Sequence, residues 1–521
     1  MRGDPRPECA AIRSGGAKKN LTDRLLMVGS VVLAALMLAT DRWFTAVDDE
    51  CAILNRATKP VAETLRLYAR GVGQHEHPPL YDLLLHAWLR LSSADLYQLR
   101  LPSILFYAFA AFVLAKAGER LGRKASQVAV FCLVAVWPFG FHFGRLACWY
   151  SFSFMVVSLL TFAYLEYFGR RTLKSWLLVF ACALVLVYTN YFGWAILACL
   201  GLDFVIRNRE ARAQAVRATM VMAVLLLVAH LPLLKAFLRE VHHGVKTGQS
   251  LLSMLLVGVY NLYCLVVSES VAPWFWYLGV PAGTAIAVGL ILVLFCGPPL
   301  ATRFLMYLTA LLTIMTILGI AETRRTLLIG PWLMLPTGVT IGTVQAKSVR
   351  RTLVASFVFA MAIGWFGVFS RRLYAAPHRT EPWPTIGAEA ATTLRDRGIV
   401  LGNSPSFFFY LTRSLAQESP GHNAHFLGLL PEWVRNPNVY NPAQWASAGR
   451  PTAPHVIVVR GLNYPEPPSR IEEAMEWMDN HCHVVEQQQL VRDQGAALKQ
   501  RLLPSIPQPE WRIKVKRYAC P

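Results

Sequence analysis

Charge is scarce in this chain. Only 16% of its 521 residues are Asp, Glu, Lys or Arg, against about 25% in a soluble domain. Hydrophobic residues make up 55%, and mean hydropathy is +0.38. That excludes a disordered chain, a coiled coil and a water-soluble core of ordinary design. Acids are scarcer still, 31 against 51 basic residues. In a soluble protein such a balance suggests nucleic acid. In a membrane protein it reads as basic loops held in the cytoplasm, with no nucleic-acid partner. The ten cysteines include no CxxC pair and no Cys/His cluster at metal spacing. Most lie in apolar runs, where a thiol behaves as a small hydrophobe. No small-residue cleavage site follows the first apolar run, which reads as an uncleaved signal anchor.

The runs themselves are long. They occupy 25–40, 101–115, 125–141, 149–168, 176–206, 220–238, 251–267, 274–295, 300–320, 327–341 and 353–369. A spanning helix takes roughly 17–25 residues, a few of them from its flanks. The run 176–206 is too long for one span, and Thr189-Asn190-Tyr191-Phe192-Gly193 breaks it into a tight helical hairpin. Basic clusters fix direction. Residues Arg2 to Arg24 place the N-terminus in the cytoplasm. The clusters at 116–124, 170–174, 207–217 and 347–351 follow it.

Two apolar helices do not fit that orientation as spans. Tyr81–Leu91 is short and carries Asp82, His86 and Arg90, so it reads as an interfacial helix. Leu251–Val267 reads as re-entrant or surface-lying, because its neighbours must keep their basic ends inside. The expectation is a mainly α, polytopic protein with about 11 transmembrane helices, or about 13 if both doubtful helices cross. The predicted domains are a cytoplasmic tail (1–24), a membrane domain (25–369) with a first outer loop at 41–100, and an extracytoplasmic α/β domain (370–521). In that last part apolar runs shorten. His455–Arg460 reads as a buried strand, Ser469–Asn480 as an amphipathic helix and Trp511–Tyr518 as a half-exposed strand. Cys482 and Cys520 both fall there, as a disulfide or as two thiols.

Chemistry-bearing residues collect on the outer side. Asp48-Asp49-Glu50 follows the first span. Such acids are either a solvated loop or a general base able to take a proton from an acceptor hydroxyl or amine. His75-Glu76-His77-Pro78-Pro79 is at least a rigid turn into the next helix. Its imidazoles can also donate to phosphate. A metal on His75 and His77 is conceivable only at generic spacing. Arg145, Arg324 and Arg325 run against the positive-inside trend. An outward Arg either snorkels to headgroups or clamps phosphate bidentately. Carboxylates within the spans are few, Glu166 and Asp203 near cytoplasmic ends, where an ion-coupled transporter would show several.

The order of these motifs resembles the GT-C membrane glycosyltransferases. An acidic pair follows the first span, and about 25 residues later come His-Pro-Pro-Leu-Tyr and an apolar helix. Leu99-Arg100-Leu101-Pro102-Ser103, Tyr188-Thr189-Asn190-Tyr191-Phe192 and Arg325 with its Pro-containing apolar segment follow in register. The match is closest to bacterial glycosyltransferase family 39, the protein O-mannosyltransferase-like branch, and within it to rhizobial-type lipopolysaccharide sugar transferases. It covers residues 25–369.

The resemblance implies an inverting sugar transfer from a polyprenyl-phosphate donor to a cell-envelope glycan, lipid or protein at the outer face of the inner membrane. It implies Asp49 as base, with Glu50 beside it and Asp48 in reserve. His77, Arg145, Arg325 and Arg324 would bind the donor phosphate. His75, Tyr150, Asn190 and Tyr191 are further site residues. Two departures stand out. Arg145–Tyr150 lacks the acid that relatives carry after the third span, so no metal or other cofactor is expected. Asn190 stands where many relatives have His. The competing classes are a lipid-linked-sugar flippase and a non-catalytic envelope scaffold.

Overall fold

The computed structural model describes residues 19–70, 77–92, 96–244, 251–318, 323–370, 373, 381–417, 438–461, 468–492, 495–497, 501 and 510–521. Among the described residues, seven helices are long and apolar enough to cross a membrane, and the count becomes eight if one bent pair is a single span. Three shorter apolar helices accompany them. The chain is a polytopic membrane protein, mainly α, with a small C-terminal sheet. Its residues divide into two compact units.

The first unit comprises the N-terminal helix, Leu65–Tyr81 and Arg100–Leu373. Its helices are numbered with the whole chain. They begin with α1 (Lys19–Ala39), α5 (Leu96–Leu121), α6 (Lys124–Ala135), α7 (Pro138–Phe143) and α8 (Trp149–Arg170). Next come α9 (Leu173–Val187), α10 (Gly193–Arg207), α11 (Arg212–His230) and α12 (Leu234–Gly244). The last are α13 (Leu251–Val267), α14 (Trp276–Cys296), α15 (Pro299–Ile317), α16 (Pro331–Thr343) and α17 (Lys347–Ser370). The break at 189–193 falls between α9 and α10, as the sequence predicts.

Small residues set the packing. α6 lies against α16, where a Cβ on Gly338 would meet the Val130 backbone at 2.7 Å and one on Gly342 would meet Ser126 Cα at 2.5 Å. Close backbone approach of this kind is what holds helices together where lipid removes the hydrophobic drive. Trp137, Trp332, Tyr107 and Phe154 are wholly buried in this unit. Trp137 donates to Leu265 O (2.5 Å) and Trp332 to Thr161 Oγ1 (3.0 Å). A buried indole N–H left without an acceptor would be costly. α13 is a 17-residue helix whose last residues, Tyr263–Val267, are buried.

The second unit comprises Thr40–Thr64, Asp82–Leu99 and Tyr374–Pro521. The first-loop segments therefore cluster with the C-terminal part. Its helices are α2 (Asp48–Ala57), most of α4 (Leu80–Leu89), α18 (Trp383–Arg395), α19 (Pro405–Gln417), α20 (Pro442–Ser447) and α21 (Pro468–His481). α3 (Val61–Arg70) crosses the division in the chain. The strands are β1 (Ile399–Gly402), β2 (Val439–Tyr440), β3 (Val456–Arg460), β4 (His483–Arg492) and β5 (Trp511–Ala519). They form one sheet in the order β2-β1-β3-β5-β4. β1 runs parallel to β2 and β3, and β5 is antiparallel to β3 and β4. Leu401, Val458, Trp445, Met478 and Tyr518 build the core.

β5 departs from expectation. It is central, hydrogen-bonded on both edges, and of its four basic residues Arg512 and Lys516 are buried while Lys514 and Arg517 are half-buried. Ion pairs make that tolerable. Lys516 Nζ lies 2.6 Å from Asp479, and Arg512 Nε lies 3.0 Å from Glu381, which also accepts from Trp383 Nε1 at 2.7 Å. Cys482 and Cys520 form a disulfide, closing a 38-residue separation beside paired residues Val484 and Tyr518.

Candidate functional site

The motif segments of the first unit meet one another. The two prolines after His77 leave the chain extended as it enters α4. The first amide of that helix, Leu80 N, donates to Tyr188 O at 3.2 Å, so the His-Pro-Pro segment rests on the α9–α10 turn. Tyr81 Oη and Ser103 Oγ are 2.9 Å apart, which joins the same segment to the Leu-Arg-Leu-Pro-Ser motif in α5. His77 is only 2% exposed. Its Nδ1 contacts Pro78 O at 3.0 Å, and its ring lies 5.7 Å from Trp149, which in turn packs on Tyr150 at 4.5 Å. Trp149 and Tyr150 open α8, next to the Arg145 loop.

Arg145 is fully buried. Its Nε donates to Phe141 O at 3.1 Å, and its guanidinium stacks 4.2 Å above the Phe141 ring. A desolvated guanidinium over a ring face gains about 2 kcal/mol. The loop that carries it needs glycine at 144, where a Cβ would sit 2.5 Å from Gly140 O and 2.7 Å from the Tyr107 ring. Tyr107 is held in turn by its bond to Val134 O, 2.7 Å. Arg324 and Arg325, both half-buried, stand on a 3₁₀ turn, Thr323–Ile329, that packs on α7 and α8. That turn bends by 53° into α16. Imidazole, guanidinium and phenol groups thus stand near the ends of α4, α7, α8 and the 3₁₀ turn. Such a set of donors suits phosphate oxygens.

The hairpin residues have local structural work. Asn190 Oδ1 accepts Phe192 N at 2.8 Å, an Asx turn that closes α9 onto α10. Tyr191 is buried against His230 and Phe237, at ring distances of 6.0 and 5.6 Å. His230 also meets Tyr188 and Trp194 edge-on.

The acids belong to the second unit. They begin α2, where a helix N-terminus favours negative charge. Glu50, 1% exposed, accepts the Val47 backbone N–H at 3.1 Å through Oε2. That is the reaching-back half of a capping box, and Val47 has no side-chain oxygen to supply the other half. Asp49 is half-exposed on the same first turn. The side chain of Asp48, and His75 altogether, lie outside the described residues. Among the described residues no three His, Cys, Asp or Glu groups could hold a metal.

Sequence reasoning missed what holds α2. Ala46 N donates to Tyr410 Oη at 2.8 Å, and Ser406 Oγ reaches Ala46 O at 3.4 Å. Both partners stand on α19, more than 350 residues away in the chain. Further along, Arg56 Nε pairs with buried Asp82 at 2.9 Å, and His86 Nδ1 meets Ala57 O at 2.7 Å. Asp82 and His86 of α4 therefore each find a partner on α2.

Membrane helices and a small mixed sheet make up this fold. Two solved structures share it from end to end. ArnT from Cupriavidus metallidurans bound to undecaprenyl phosphate aligns with a TM-score of 0.54 and 13% identity, over 95% of this chain and 97% of that one. The same protein in the apo state aligns with a TM-score of 0.55 and 12% identity over the same shares. No known family's sequence profile matches the chain, and no curated protein matches it.

Proposed function

We propose that this protein is an inverting glycosyltransferase that takes a sugar from a polyprenyl-phosphate donor. The observation that carries the reading is the end-to-end likeness to ArnT, one structure of which holds undecaprenyl phosphate. Buried His77 and Arg145, with half-buried Arg324 and Arg325, support it as groups suited to the donor phosphate. The acceptor is a cell-envelope glycan, lipid or protein, reached at the outer face of the inner membrane. In this reading the N-terminus is cytoplasmic and residues 370–521 are extracytoplasmic. About eleven segments cross, the shorter apolar helices included.

The chemistry is a single displacement. The acceptor oxygen attacks the anomeric carbon as the bond from that carbon to the phosphate oxygen breaks. The electron pair leaves with polyprenyl phosphate, and the acceptor proton passes to Asp49. The half-exposure of Asp49 at the helix start supports it as the base. Charge grows on the departing phosphate, so fixed cations there lower the barrier more than they bind the ground state.

The test is release of polyprenyl phosphate from a panel of polyprenyl-phosphate hexoses and pentoses, with isolated envelope as acceptor. Wild type releases it and Asp49→Asn does not, while both retain the donor. Transport of the donor without turnover favours the flippase reading. Neither activity favours the scaffold.

A further inference from the structure

A cavity lies well away from these residues. α8, α9, α10 and α11 enclose an open cavity of 240 Å³, walled by Leu160, Tyr164, Val179, Leu200, Phe204 and Leu226. On α8 the residues of the wall stand 10 to 17 positions beyond Tyr150. At the rise of an α-helix that is roughly 15 to 25 Å along the axis. The cavity therefore opens near the end of α8 remote from His77 and Trp149. Its surface is almost wholly apolar, and Trp176 and Trp194 stand at its sides, half-buried. Within a bilayer such a space takes hydrocarbon, and aromatic rings suit its edge.

Charge beside it selects the headgroup. That end of the four helices carries Arg170, Arg171, Lys174, Arg207, Arg209 and Arg212 against Glu166, Asp203 and Glu210. The buried carboxylate of Asp203, next to Phe204 of the wall, is already occupied. It accepts from Tyr307 Oη at 2.5 Å and from Tyr164 Oη, with Arg303 at 3.4 Å. Arg207 lies 3.7 Å from Asp203 and 4.1 Å above the Phe168 ring. Two guanidinium groups face one carboxylate there, so positive charge is left over within a turn of Phe204 of the wall.

The geometry points to a site for one anionic glycerophospholipid, with an acyl chain in the cavity and its phosphate against the basic rim at Arg207. The site is separate from the donor site and does not depend on the proposed activity. A bound lipid would tie the α8–α9 pair to α11, a helix that buries little of its own surface.

The full chain, purified in mild detergent, is titrated with phosphatidylglycerol and with phosphatidylcholine of matched acyl chains, and read by native mass spectrometry. One phosphatidylglycerol is retained per chain, about fivefold over phosphatidylcholine, the preference expected of one basic group at a membrane surface. Ala223→Phe and Ala198→Leu fill the cavity and lower retention about tenfold, with thermal melting no lower than wild type. Arg207→Gln removes the headgroup preference while keeping lipid binding. Unchanged retention in both filled variants overturns the assignment, as does equal retention of the two lipids by wild type. Stronger retention of polyprenyl phosphate than of phosphatidylglycerol also overturns it, by giving the cavity to the donor. Should a filled variant not fold, phosphatidylglycerol brominated in mid-chain decides with folded protein. It quenches wild type more than the Trp176→Phe/Trp194→Phe variant, and equal quenching overturns the site.

Discussion

Tyr410→Phe tests how the acidic helix is held. The phenol accepts the Ala46 N–H at 2.8 Å, and Ala46 is 1% exposed. Removing the hydroxyl leaves that amide buried, which costs about 1–3 kcal/mol. The cost falls on the segment that leads into α2 three residues before Asp49. If it is felt as displacement of the base in the transition state, kcat falls about 5- to 150-fold, at 1.4 kcal/mol per factor of ten. The donor groups belong to other segments, so the donor KM stays within about twofold. The assay is polyprenyl phosphate release at varied donor concentration, with thermal melting as control. Ser406→Ala gives a milder scale, because the bond from Ser406 to Ala46 O is long at 3.4 Å. Turnover by Tyr410→Phe equal to wild type would refute the positioning argument. A loss carried wholly by donor KM would refute it too.

Other expectations follow from the same contacts. Arg145→Lys keeps the charge but loses the planar stacking over Phe141 and the fork geometry. It should lower turnover about 10²-fold, within the range for one lost transition-state donor, as measured by donor turnover at saturation. Replacing both Cys482 and Cys520 by Ser removes a cross-link spanning 38 residues. Chain entropy puts the loss near 4 kcal/mol, read as easier urea unfolding of the sheet-bearing unit, whose tryptophans report it. Burial, with the Asp479 carboxylate added, holds the Tyr518 phenol above its ordinary value of 10.0. The folded protein then keeps that proton while the unfolded chain loses it. The stabilisation is full below about pH 10 and declines above it. Thermal melting of wild type should therefore drop more steeply above pH 10 than that of Tyr518→Phe. In the proposed orientation, cysteines placed near Arg120 and Arg209 resist an external thiol reagent, while one at Glu472 reacts. Labelling at Arg120 would reverse the topology.

Much of the frame is legible in the sequence because its signals are local. Long apolar runs give the helices, and Thr189–Gly193 breaks one of them where the structure turns. The short apolar run His455–Arg460 and the amphipathic Ser469–Asn480 stretch announce a strand and a helix locally. What stayed hidden is long-range. Nothing near Ala46 signals Tyr410, and nothing in Asp48-Asp49-Glu50 tells which acid is spent on a helix cap. That is decided by where α2 starts. β4 was missed because its Glu-Gln-Gln-Gln run has little strand preference, and it forms by pairing with β5. β5 was misjudged because its charges look solvated until Asp479 and Glu381 are placed beside them. The disulfide was open in the sequence because proximity of Cys482 and Cys520 depends on the register of β4 against β5.

The central claim is tested most directly by one pair of proteins. Wild type and Asp49→Asn, purified alike, are given polyprenyl-phosphate sugars and envelope acceptor, and release of polyprenyl phosphate is counted. The account predicts release by wild type and a loss of at least about 10²-fold in the variant, the usual scale of a removed general base, with donor binding unchanged. Full release by Asp49→Asn would contradict it.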